Sequence, residues 1–158
     1  MSPFNYASGK AKGLELSGTY SDSTWLAYLN LAYQKAQGKN IISGQSLLGA
    51  NELAYIANHY IYLDHDQTYT ASGGVTYKFA GNGLGADVLY GSGLRKTSAG
   101  GPPNGAHLPA YAVVNSSITH LWKTSPNSSI EGRLALLNVF DKTSAHRNTG
   151  CVAVSTFR

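Results

Sequence analysis

The chain has 158 residues and a hydrophobic content of 42%, enough for a core, yet only 13% of its residues are charged, about half the usual share of roughly 25%. Its net charge of +4 comes from Lys and Arg scattered between Lys10 and Arg158 without a basic block, which argues against a nucleic-acid groove. Cys151 is the only cysteine, which excludes an internal disulfide and a cysteine-based zinc site. No apolar run approaches the roughly 20 residues of a membrane helix. Met1-Ser2-Pro3-Phe4-Asn5 has neither the basic region nor the apolar stretch of a signal peptide, so any export signal is expected outside this stretch. The 11 Tyr and 18 Gly, with abundant Ser, Thr and Asn, suit a sheet with lipid on one face and water on the other. They also suit a soluble β-sandwich or a secreted lectin.

In chain order, period-2 alternation recurs between turn signals. Gly13 to Tyr20 sets Leu14, Leu16, Gly18 and Tyr20 against Glu15, Ser17 and Thr19. Ser21-Asp22-Ser23-Thr24 is a polar turn, and Trp25 to Ala36 alternates Trp25, Ala27, Leu29, Leu31 and Tyr33 with Tyr28, Asn30, Ala32 and Gln34. These two segments predict a hairpin. From Gln37 to about Asp64 the alternation is lost. It returns at Thr68, where Tyr69, Ala71, Gly73, Val75, Tyr77 and Phe79 oppose Thr70, Ser72, Gly74, Thr76 and Lys78. Ala80-Gly81-Asn82-Gly83 signals a tight turn. The fourth segment puts Leu84, Ala86, Val88 and Tyr90 opposite Gly85, Asp87, Gly91, Gly93 and Arg95. A Gly/Pro-rich loop spans Lys96 to Pro109. Tyr111 to Trp122 and Ile130 to Asp141 complete the set, joined by a short connection containing Pro126-Asn127.

The connections therefore alternate short, long, short, long, short. Outer-membrane barrels have short periplasmic turns and long outer loops, whereas a soluble sandwich has no physical reason to gather its long connections at one end. Aromatics such as Tyr20, Trp25, Tyr33, Tyr69, Tyr77 and Trp122 fall near segment ends, as interfacial girdles require. The expected fold is all-β: an antiparallel transmembrane β-barrel segment of about six strands. A basic residue facing mid-bilayer lipid costs about 2–4 kcal/mol, so Glu15, Lys78, Asp87, Arg95, Glu131 and Arg133, all on the polar phase, are expected to face the lumen. Of these, Glu15, Asp87, Arg95 and Arg133 are the candidate ligand contacts. His120, on the apolar phase near Trp122, suits an interface position.

Four stretches, in order, resemble the C-terminal part of the barrel of TonB-dependent outer-membrane receptors. Gly13-Leu14-Glu15-Leu16 is similar to the family's Gly-x-Glu strand opening. Leu63-Asp64-His65-Asp66-Gln67 before Tyr69-Thr70 resembles a later strand entry. Leu108-Pro109-Ala110-Tyr111 with Val113-Val114-Asn115 is similar to another strand entry, and Leu137-Asn138-Val139-Phe140-Asp141-Lys142 resembles the end of the penultimate strand. The resemblance implies residues 1–142 as a partial receptor barrel in a bacterial outer membrane. It also implies active uptake of a scarce nutrient, most often an iron–siderophore complex, powered by the TonB complex through a plug that is not part of this sequence. Long loops Gln37 to Asp64 and Lys96 to Pro109, with the plug, would select the ligand. Family barrels have about 22 strands, so six strands leave two open edges, which hydrocarbon does not tolerate. Residues 143–158, with Cys151, depart from the family's closing strand, and a truncation or altered reading frame near residue 143 is expected.

Sharper chemistry finds little support. His59, Asp64, His65 and Asp66 lie close in sequence but match no metal-ligand spacing, so a loop role is expected and no metal. Gly81-Asn82-Gly83-Leu84-Gly85 follows one strand and opens another, unlike a phosphate-cradling loop. No nucleophile elbow occurs, and neither a catalytic residue nor a cofactor is expected. Two other readings stay open: a soluble secreted β-sandwich or lectin-like binding module, and a small outer-membrane adhesin or enzyme barrel.

Overall fold

The computed structural model describes residues 5–42 and 48–143. The elements in chain order are strands β1 (Tyr6–Ser21) and β2 (Trp25–Ile41), helix α1 (Ala50–Asn58), and strands β3 (Ile61–Tyr62), β4 (Tyr69–Phe79), β5 (Asn82–Gly91), β6 (Arg95–Lys96), β7 (Ala106–His107), β8 (Tyr111–Ser125) and β9 (Ser128–Leu136). Six of the strands pair antiparallel with their sequence neighbours in the order β1-β2-β4-β5-β8-β9, and β3 adds to β2 beyond the end of β4. The sheet is open, with β1 and β9 as its edges.

All six expected strands form, with altered ends. Pairing between β1 and β2 runs from Tyr6↔Ile41 to Ser21↔Leu26, well past the point where alternation fades at Ala36. Lys10, Lys12, Lys35 and Lys39 obscure that part of the pattern by occupying the phase that carries Leu14 and Tyr33. β5 stops at Gly91, short of Arg95. β9 stops at Leu136, where Asn138 and Asp141 take positive φ, although the Val139 N–H still donates to the Val114 carbonyl at 2.8 Å. Gly13-Leu14-Glu15-Leu16 therefore lies inside β1 rather than opening it, and Leu137 to Lys142 form a turn rather than a strand end.

Local chemistry explains the tight connections. Asp22 Oδ1 accepts from the backbone N–H groups of Thr24 (2.7 Å) and Trp25 (2.6 Å), closing the first turn as an Asx motif does. Ala80 and Gly81 both take positive φ, 45° and 77°, the twist a two-residue hairpin needs. Pro126 and Asn127 connect β8 to β9, where Ser125 faces Ser128.

Register carries the apolar phase across the whole sheet. One row runs Leu16, Leu31, Ala71, Tyr90 and Ala112, and another runs Leu29, Gly73, Val88 and Val114. A third runs Trp25, Tyr77, Leu84, Ile118 and Leu134. Nothing in the described residues covers this face: Leu16 is 63% exposed, Leu29 49%, Ile118 46% and Leu134 74%. The buried hydrophobic side chains among the described residues are Ile56 and Ile61, at the long-loop end. There α1 packs on β2, its start held by Glu52 Oε2, which accepts the Gly49 N–H at 2.9 Å. Among the described residues most large hydrophobic side chains are exposed and almost none lies in a dry interior.

Candidate functional site

The opposite face is polar and, along part of its extent, hollow. Two troughs lie on it. One, of about 490 Å³, sits toward the short turns and is lined by Thr76, Lys78, Gly83, Ser117, Thr119 and Arg133 among others. The other, of about 370 Å³, includes Glu15, Ser17, Asn30, Thr70 and Ser72. Glycine makes room here. A Cβ on Gly83 would stand 2.5 Å from Thr119 Oγ1, and one on Gly74 would meet the Tyr28 ring at 2.6 Å. Small and hydroxylated side chains predominate on this face, although Leu26, Tyr28, Leu89, Val113 and Leu121 share its phase.

Three of the four candidate contacts share this face without forming one cluster. Glu15 faces Ala32 inside β1, in the row where β4 and β5 reach their loop ends at Thr70 and Gly91. Asp87 stands between Gly74 and Asn115 at mid-sheet, and Arg133 faces Thr119 on edge strand β9. Successive members are four rows apart, about 13 Å along a strand. Asp87 Oδ2 accepts from Asn115 Nδ2 at 2.7 Å, and Arg133 Nη2 donates to Ser117 Oγ at 3.3 Å. Asn115 links two of the quoted motifs, since its Oδ1 accepts the Asn138 N–H at 2.9 Å.

Arg95 departs from expectation. It lies in β6, off the main sheet and 5% exposed, rather than on the polar face of β5. Its Nε donates to Asp66 Oδ2 at 3.0 Å, its Nη2 to Thr68 Oγ1 at 2.8 Å, and its Nη1 meets His107 Nε2 at 2.8 Å. Arginine can only donate, so His107 Nε2 is the acceptor in that contact. The guanidinium also stacks on Tyr62, 3.4 Å from the ring centre. Asp66 uses its other oxygen to accept the Ala36 N–H at 2.7 Å, and Asn104 Nδ2 donates to the Tyr62 carbonyl at 2.9 Å. These contacts join the two long connections to each other and to β2, forming a cap at one end of the sheet.

The His/Asp stretch disperses. Asp66 serves Arg95, His65 pairs with its exposed neighbour Asp64 at 2.8 Å, and His59 stacks on Tyr55 with centroids 4.2 Å apart. His120 stays on the apolar face, its Nδ1 2.7 Å from Asn82 Oδ1 and its ring edge-on to Trp122. The divergent tail, with Cys151, lies outside the described residues apart from Thr143, as do residues 43–47 of the first long loop.

No family model, curated protein or solved structure matches this chain.

Proposed function

We propose that the chain is a stretch of wall from a transmembrane β-barrel of the bacterial outer membrane, part of a TonB-dependent type of receptor that takes up a scarce nutrient such as an iron–siderophore complex. The observation that carries this reading is the uncovered apolar face, continuous across six strands, backed by a mainly polar face that holds two troughs. A soluble sandwich would bury the apolar side between sheets, whereas a barrel wall turns it to lipid and its polar side to the bore.

Aromatic placement supports the same reading. Trp25, Tyr77 and Phe79 cluster toward the short-turn end, with Trp25–Tyr77 centroids 4.8 Å apart, and Tyr33 and Tyr69 meet at 5.4 Å toward the long loops. Tyr69 and Tyr77 are eight residues apart, about 26 Å along a strand, or about 19 Å in height at the usual 45° tilt, which fits within the roughly 25 Å apolar band of such barrels. The short turns would face the periplasm and the cap the exterior. Edges β1 and β9 would be completed by further strands of the parent barrel, because unpaired backbone groups are costly in hydrocarbon. Glu15, Asp87 and Arg133 would face the bore, where plug or ligand passes. Arg95 would act through the cap, holding the loops that select the ligand.

The test is folding in two solvents. The full chain, diluted from urea, is expected to acquire protease-resistant β-structure in detergent or lipid vesicles and to aggregate in plain buffer. A soluble monomer that melts cooperatively without amphiphile would overturn the membrane reading and favour the sandwich.

A further inference from the structure

Beyond the Tyr33 row, toward the long loops, the outward phase of β1 and β2 changes character. Lys12 stands opposite Lys35, Lys10 opposite Gln37, and Ser8 opposite Lys39, so Lys10, Lys12, Lys35 and Lys39 continue the face that carries Leu14, Leu16, Leu31 and Tyr33. These rows lie about 7, 13 and 20 Å beyond Tyr33 along the strand, or about 5, 9 and 14 Å in height at the usual 45° tilt. Like charges directly opposite each other on neighbouring strands are destabilising, and Lys12↔Lys35 is such a pair. No carboxylate relieves it. The ion pairs among the described residues are His65–Asp64 and Arg95–Asp66, and Glu15 is on the opposite phase of β1. Two of the lysines are instead held by rings: Lys10 Nζ is 3.9 Å from the centre of Tyr60, and Lys35 Nζ is 5.1 Å from that of Tyr62. The Tyr60 hydroxyl is itself 2.7 Å from Ser8 Oγ, which ties that ring to the same face.

We propose that this lysine rim seats the phosphate groups of lipid headgroups in the leaflet on the long-loop side. The inference rests on the membrane reading above and adds which lipid chemistry that wall meets. Four ammonium groups without carboxylate partners, placed just outside an aromatic row, match the depth at which anionic headgroups begin. Long lysine stems can lie along apolar surface while their charged ends reach that layer. A phosphate between Lys12 and Lys35 would also remove the repulsion that the register imposes.

The test compares vesicles of phosphatidylcholine alone with vesicles enriched in phosphatidylglycerol, using flotation of the full chain diluted from urea. Each lysine near an anionic surface is worth about fivefold in partitioning, so the wild-type chain is expected to favour anionic vesicles at least about tenfold. The variant Lys10→Gln/Lys12→Gln/Lys35→Gln/Lys39→Gln should lose that preference and still float with phosphatidylcholine. A charge-matched control, Lys78→Gln/Lys123→Gln/Lys142→Gln/Arg158→Gln, should keep it, which separates a local seat from net charge. If the rim variant keeps the preference, or the control loses it equally, the lysine seat is wrong while the wall reading stands. A wild-type chain that sediments with both vesicle types would overturn the wall reading and the seat together.

Discussion

Arg95 illustrates how a single side chain can be read correctly as a charge and wrongly as to place. Alternation extended from Leu84 carries it onto the polar face, but the strand ends at Gly91 and the guanidinium turns into the cap. With Asp66 fully buried and Arg95 nearly so, removing one partner leaves an uncompensated charge, at a cost of about 3–5 kcal/mol. Arg95→Ala is therefore expected to free residues 61–68 and 92–110 for hydrogen exchange and proteolysis while β4, β5 and β8 stay protected. Arg95→Lys should behave similarly, because an ammonium cannot reach Asp66, Thr68 and His107 together. Unchanged exchange in both loops would show that the cap is held by other contacts. Sequence reasoning misplaced this residue because its partner is 29 positions away, with nothing local to mark the pair.

At the scale of the element, turn chemistry is the most legible part of the chain. Ser21 to Thr24, Ala80-Gly81 and Pro126-Asn127 all make the reversals that their residue types favour, since a turn is decided by a few adjacent dihedrals. The first turn also has a pH signature. The Tyr20 hydroxyl, donating at 2.6 Å, holds the Asp22 carboxyl below its usual range, helped by the Trp25 and Thr24 N–H groups. A group depressed on folding contributes stability above its unfolded value near 3.9 and loses it as pH falls through the lower folded value. The turn should thus be fully ordered above about pH 5 and loosen in stronger acid. In Asp22→Ala the backbone amides of Thr24 and Trp25 should exchange quickly at every pH. A wild-type turn whose exchange protection did not fall in acid would contradict that account. Glycine has an element-scale role too: Gly93 has φ +89° and so close a backbone neighbour at Leu108 that a Cβ has no room, which lets the β5–β6 corner tuck under the second long loop.

For the whole molecule, the question is which face of the sheet meets which solvent. Val88 sits in the middle of the apolar face, opposite Gly73 and Val114, and Ser72 lies on the polar one beside Asn30. If the apolar face meets lipid, Val88→Arg should weaken partitioning into vesicles by about 2–4 kcal/mol, and Ser72→Arg should change it by less than about threefold. Equal losses in the two variants would mean that lipid does not distinguish the faces. The open edges belong to this scale as well. β1 and β9 are the edges of the sheet, the usual template for association between chains, and among the described residues no further strand pairs with either.

The residue order alone determined which side chains share a face and where the chain reverses. A strand's period of two is a property of consecutive residues, and turn preference belongs to two or three neighbours. Hence the six main strands, the alternation of short and long connections and the shared face of Glu15, Asp87 and Arg133 were all legible. The three-dimensional pairing decided the rest. Lysines that look scattered become a rim only when Lys12 meets Lys35 across two strands, and Arg95 meets Asp66 only when two long loops fold against β2. Helix α1 arises in a stretch with no alternation and is held by burial of Ile56. Such contacts link positions tens of residues apart, so their energies leave no periodic trace along the chain.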